Sequence, residues 1–122
     1  MLNEKSMRKL EGVNPLLVSV IGAAAVSCPI EFHITEGVRS YSRQKMLFEA
    51  GKSQTMNSKH LTGDAVDIAV FINGVVNWDF SNYAKVAKFV KEAAQQLGAV
   101  IKWGGDFETF KDGPHFQLEK RK

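Results

Sequence analysis

The sequence is poor in the residues that staple or bend a chain, with one cysteine and three prolines in 122 residues. A lone Cys28 excludes an internal disulfide and a cysteine-built zinc site, so any metal has to be held by His, Asp or Glu. No apolar run reaches the ~20 residues of a membrane-spanning helix. The longest, from Pro15 to Pro29, is broken by Ser19, Gly22 and Ser27. Nor does a basic stretch lead directly into an apolar one with a cleavage site, because Glu4 and Glu11 flank Lys5, Arg8 and Lys9. The expectations are no signal peptide, synthesis in the cytoplasm and no stable membrane insertion. An excess of one charge is lacking too: 16 Lys and Arg face 13 Asp and Glu, for a formal charge of +3. Without interleaved basic and aromatic residues, that mild excess argues against a nucleic-acid partner. The tail Lys120-Arg121-Lys122 reads as a solvated end.

What is present suits one compact domain over 1–122, at 44% hydrophobic and 24% charged residues. Ser6 precedes one or two helical turns over Met7–Glu11. Asn14-Pro15 is an N-cap followed by a first-turn proline and predicts a core helix over 15–27. Glu31–Thr35 alternates with period two, placing Phe32 and Ile34 inward. Ser42 is read as the cap of a helix through Ala50. Lys52–Gly63 is a long polar loop of the kind that carries function. Ala65–Ile72 predicts a buried strand, Asn73-Gly74 a hairpin turn and Val75–Trp78 the return strand. Ser81–Leu97 is an amphipathic helix with Tyr83, Ala87, Val90, Ala94 and Leu97 on one face and a lysine-rich opposite face. Strands at Val100–Trp103 and His115–Leu118 complete an α+β domain, a small, mainly antiparallel sheet packed against two or three helices.

Chemistry concentrates in two segments, Ser58-Lys59-His60 through Asp67 and Asp112-Gly113-Pro114-His115. Asp67 falls among apolar neighbours, where an unpaired carboxylate costs several kcal/mol, so a cation has to face it. A divalent metal shared with His60 and His115 meets that need, and two His plus one carboxylate is a known catalytic zinc set. Asp112, one tight turn before His115, suits a general base beside the metal. Arg39 can polarise a substrate carbonyl, or form a structural ion pair with Asp67 or Asp106. Trp103-Gly104-Gly105-Asp106-Phe107 lets backbone approach the site, with Trp103 as core or pocket wall and Asp106 as a supporting residue. His33, in an alternating strand, reads as an ordinary half-buried histidine.

The set Ser58-x-His60-x-x-Gly63-x-Ala65-x-Asp67, Trp103-Gly104-Gly105-Asp106-Phe107, Asp112-x-Pro114-His115-Phe116, preceded by Gly37-x-Arg39-Ser40 and Arg43-Gln44, resembles the VanY-like zinc peptidoglycan peptidases. Within that group it is most similar to phage endolysins and bacterial enzymes that act as L-alanyl-D-glutamate endopeptidases. The resemblance runs from Leu10-x-Gly12-Val13-x-Pro15 to His115. It implies a Hedgehog/DD-peptidase-like fold in which His60, Asp67 and His115 hold Zn²⁺. It further implies Asp112 as acid/base, Arg39 as transition-state stabiliser, and Ser58 as a hydrogen-bonding residue behind the ligands. In related enzymes the acid/base can be Glu; here it is the shorter Asp.

The substrate implied is the peptidoglycan stem peptide, cut between L-Ala and D-Glu by a monomer with no separate wall-binding domain. Such an endolysin stays in the host cytoplasm until holin lesions release it to the periplasm and cell wall. Two rivals share the metal motif: a D-Ala-D-Ala carboxypeptidase or dipeptidase, and a non-catalytic zinc-containing binding module. Asp112 and Arg39 argue against the latter, since a structural zinc needs neither a base nor an oxyanion donor.

Overall fold

Side-chain oxygens fix where three of the helices begin. In the computed structural model, which describes residues 2–53 and 55–119, Asn3 caps helix α1 (Glu4–Lys9), Asn14 caps α2 (Pro15–Ser27) and Ser40 caps α3 (Tyr41–Glu49). Each accepts a first-turn backbone N–H, a contact worth about 1 kcal/mol. Two of these caps precede the residues expected from the sequence, Ser6 and Ser42. The reason at Ser6 is tertiary: it is buried, and its hydroxyl accepts the Ile34 N–H at 2.9 Å, clamping α1 to the sheet. Helix α4 (Phe80–Leu97) starts one residue before Ser81 and ends where Gly98 turns left-handed. Leu97, expected on its apolar stripe, is 45% exposed as the last residue of the helix, whereas Val90 and Ala94 are buried. The exposed lysines 85, 88 and 91 form the opposite face.

The strands are β1 (Glu31–Glu36), β2 (Ala65–Ile72), β3 (Val75–Asn77), β4 (Val100–Trp103) and β5 (His115–Glu119). All pairings are antiparallel, along the path β1-β2-β5-β4, with β3 on β2. Asn73 and Gly74 both take positive φ, the geometry a two-residue hairpin turn requires. One sheet face presents Phe32, Ile34, Val66, Ile68, Val70 and Phe116 to a core shared with Leu17, Val20 and Ile21 of α2 and Val86 and Val90 of α4. The architecture is α+β as expected, with four helices among the described residues rather than two or three. The Lys120–Lys122 tail lies outside the described residues.

The other sheet face positions the chemistry. Because side chains alternate along a strand, Asp67 turns away from Val66 and Ile68. Register sets it directly opposite His115 on β5 and, across a bulge between Ile34 and Glu36, opposite Glu36 on β1. The 52–63 loop is not wholly irregular. Ser58 accepts the His60 N–H and caps a 3₁₀ turn, Lys59–Thr62, that Gly63 ends. His33 is half-buried, stacked on Phe71 at 4.2 Å and 2.6 Å from Glu31 Oε2, an ordinary sheet-surface residue.

Candidate metal centre and catalytic groove

His60, Asp67 and His115 come from a 3₁₀ turn and two neighbouring strands, yet one donor atom of each lies within 4.8 Å of the others. Asp67 Oδ1 is 3.2 Å from His60 Nε2 and 3.1 Å from His115 Nδ1. The trio borders a groove of about 760 Å³ that Arg39, Asp112 and Ser58 also line.

The far side of each imidazole shows what the near side is for. His60 Nδ1 lies 2.8 Å from the Gly37 carbonyl, which only accepts, so Nδ1 carries the hydrogen and Nε2 keeps its lone pair. His60 Nε2 is buried and without a hydrogen-bond partner among the described residues; its closeness to Asp67 lacks hydrogen-bond alignment. His115 Nε2 lies 2.8 Å from Gln117 Oε1. Gln117 is oriented by donating its Nε2 to Glu119 Oε1 at 3.2 Å, and Glu119 in turn pairs with Lys59. His115 therefore donates from Nε2 and turns Nδ1 inward. In the neutral rings, two lone pairs and one carboxylate oxygen would point at the same small volume, a repulsive arrangement that a cation relieves. Oriented outer partners of this kind are what metal-binding imidazoles require. Without a metal, a proton serves: although burial opposes the charged ring, hydrogen bonding to Asp67, its charge, Gln117 and Asp112 raise the His115 pKa. Burial opposes ionisation of Asp67 as well, but both histidines hold its carboxyl far below the usual range.

Arg39 reaches the groove from the segment after β1, its backbone N–H donating to His60 O at 2.9 Å. Its Nε pairs with Glu36, Nη1 donates to Gln44 Oε1 at 2.7 Å, and Nη2 is 3.5 Å from Asp67 Oδ2. These contacts engage three of the guanidinium's five donors and hold its plane. Glu36 also pairs with Arg43; burial opposes its charge, but the two arginines keep its carboxyl below the ordinary value. Gln44 is fully buried and donates to Ser53 Oγ at 2.7 Å, tying the 52–58 loop to Arg39.

Asp112 stands at the groove mouth. Its N–H donates to Gly104 O at 3.0 Å and its carbonyl accepts from His115 N at 3.1 Å. A Cβ on residue 104 would lie 2.1 Å from that carbonyl, so only glycine lets the turn close here. The residue is exposed, yet packing around the carboxyl, and then the charge of Asp67, raise its pKa; His115, His60 and Arg39 oppose the rise. Behind the turn, buried Trp103 donates its indole N–H to Gly113 O at 2.7 Å, supporting the groove wall without lining it. Asp106 is on the outer surface, 2.6 Å from Lys91, so Arg39 takes Glu36 and Asp67 as partners instead. Sequence reasoning assigned no role to Glu36, Gln44 or Gln117. The Arg43-Gln44 pair in the motif was the one available signal.

This arrangement belongs to a known class. Residues 1–119 match the family model described as phage L-alanyl-D-glutamate peptidase, and the chain belongs to that family. Its relatives include the L-alanyl-D-glutamate peptidase of Escherichia phage T5, 32% identical over 113 residues covering 89% of this chain and 82% of that protein. The peptidase of the same name from Listeria phage A118 is 37% identical over 117 residues, covering 91% of this chain but 41% of the longer relative. Among solved structures, the Serratia marcescens L-Ala D-Glu endopeptidase ChiX superposes with a TM-score of 0.92 at 44% identity, covering 98% of this chain and 90% of that one.

Proposed function

We propose that this protein is a zinc-dependent endopeptidase, acting as one catalytic domain, that hydrolyses the L-Ala–D-Glu bond of the peptidoglycan stem peptide. The observation that carries the reading is the convergence of two imidazole lone pairs and the Asp67 carboxylate in a groove that also holds Asp112 and Arg39. His60, Asp67 and His115 would hold the ion, which when bound supplies Lewis acidity and a more acidic water. Asp112, its carboxyl pKa raised, takes the proton of the attacking water on a carboxylate oxygen and delivers it to the nitrogen of the departing D-Glu. Arg39, held in plane by Glu36 and Gln44, turns its remaining donors to the carbonyl oxygen as negative charge develops there. Ser58 keeps the His60 turn in place. The same reading expects a monomer made in the host cytoplasm and released to the wall through membrane lesions.

Asp112→Ala tests it. Metal content and fold are expected to stay, while the rate on purified sacculi falls roughly 10²–10⁴-fold. Retained lysis removes Asp112 from the role. Mass spectrometry of the wild-type digest fixes the bond: new N-terminal D-Glu supports the endopeptidase, whereas free D-Ala identifies a carboxypeptidase instead.

A further inference from the structure

The lining of the groove changes character from one segment to another. The wall from α3 and the chain leading to the His60 turn contributes Arg43, Lys52 and Lys59, with Arg43 half exposed despite its pairing with Glu36 and Lys59 paired with Glu119. The wall from residues 107–111 contributes Phe107 and Phe110 beside Lys111. Phe107 is engaged, with its ring 5.8 Å from that of His115 and Lys102 Nζ 5.7 Å above it. Phe110 is not covered in this way. It is 70% exposed, and its backbone sits in the left-handed region at φ 52°. That conformation costs a side-chain-bearing residue energy, and here little burial offsets it. The loop is nonetheless held, because Lys111 Nζ donates to Gly105 O at 3.3 Å and Phe107 O at 3.0 Å. One apolar ring is thus presented at the rim of a polar groove.

The proposed substrate says what meets that ring. The scissile bond follows the first residue of the stem, whose amino group is joined to an N-acylated amino sugar through a short acyl link. A residue spans at most ~3.6 Å, so the sugar has to sit on the rim, close to the reacting carbonyl. Beyond the bond, in the other direction, the stem carries free carboxylates, beginning with D-Glu. Charge complementarity directs those towards Arg43 and Lys52 and leaves the sugar the wall of Phe110. A pyranose offers C–H groups from one face to an aromatic ring and keeps its hydroxyls for water.

We propose that Phe110 is a stacking platform for the amino sugar that bears the stem, so that the substrate crosses the groove with its sugar on the 107–111 wall and its carboxylates on the basic wall. This inference rests on the endopeptidase reading above. Its test compares kcat/KM for a disaccharide-linked stem peptide with that for the same peptide carrying an N-acetyl group in place of the sugar. The wild-type protein is expected to favour the sugar-bearing substrate by about tenfold. Phe110→Ala, and Phe110→Asn, which suits left-handed backbone, should bring that ratio close to one, while Phe110→Trp keeps it. A wild-type ratio near one, a ratio unchanged in both variants, or an equal loss on the two substrates overturns the platform. Failure of the wild-type protein to cut either substrate between L-Ala and D-Glu overturns the endopeptidase reading and the platform with it.

Discussion

The two faces of strand β2 obey opposite rules. Val66, Ile68 and Val70 are completely buried against the helices, where apolar area and volume are what count. One residue out of phase, Asp67 meets His60, His115 and Arg39, where the identity of each donor atom counts. A single period-two alternation thus writes a face governed by shape and volume and a face governed by donor chemistry into the same eight residues. The contrast also separates stability from activity, since the core holds the sheet and the opposite face uses it.

The sharpest way to break this contrast is to remove a donor. His60→Ala is expected to abolish both lysis of sacculi and stoichiometric metal binding, and metal analysis that finds a full equivalent would take His60 out of the ligand set. On the core face, Ile68→Ala should cost roughly 2–5 kcal/mol in chemical denaturation, whereas Ile68→Val should cost about 0.5–1.5. Below the midpoint, either variant keeps its metal. Gln117→Leu sharpens the comparison, because it leaves the ligands and removes the acceptor that orients His115, together with the tie from Gln117 to Glu119. Metal affinity is expected to fall roughly 10–100-fold in competition with a chelator, with little change in apolar packing.

The smallest effect is a pH dependence from Glu36. Its folded pKa lies below the unfolded value, so its contribution to stability is present above the ordinary carboxylate range and is lost as pH falls through the folded value. In metal-free protein, Glu36→Gln should therefore flatten part of the fall in thermal midpoint on acidification below about pH 4.5, the ordinary carboxylate range. An unchanged slope would mean that Arg39 and Arg43 do not favour the ionised form.

Elements written by local pattern were legible in the sequence: the proline-started α2, the α4 stripe, the Asn73-Gly74 hairpin and the three donors in two compact motifs. Choices between neighbouring candidates were not. Ser40 and Ser42 are both competent caps, and Ser6 is claimed by Ile34, 28 residues away. The supporting polar contacts were hidden for the same reason. Gln44 meets Ser53, and Lys59 meets Glu119, across separations that follow no period. The alternation of β5 placed Gln117 on the face of His115, but nothing local indicated that its amide oxygen would face the ring.

The bulge in β1 makes its own register hard to lose. At the same chain length, regular pairing would bring Thr35 opposite Asp67 and drop Glu36 into the apolar layer beside Ile34 and Val66. An ionised carboxylate there would forfeit both arginines and cost several kcal/mol of desolvation. The supernumerary residue is thus self-enforcing: electrostatics penalises the straightened strand. It also keeps the following chain on the path that brings Gly37 and Arg39 against His60, so one irregular step indexes both the guanidinium and an imidazole.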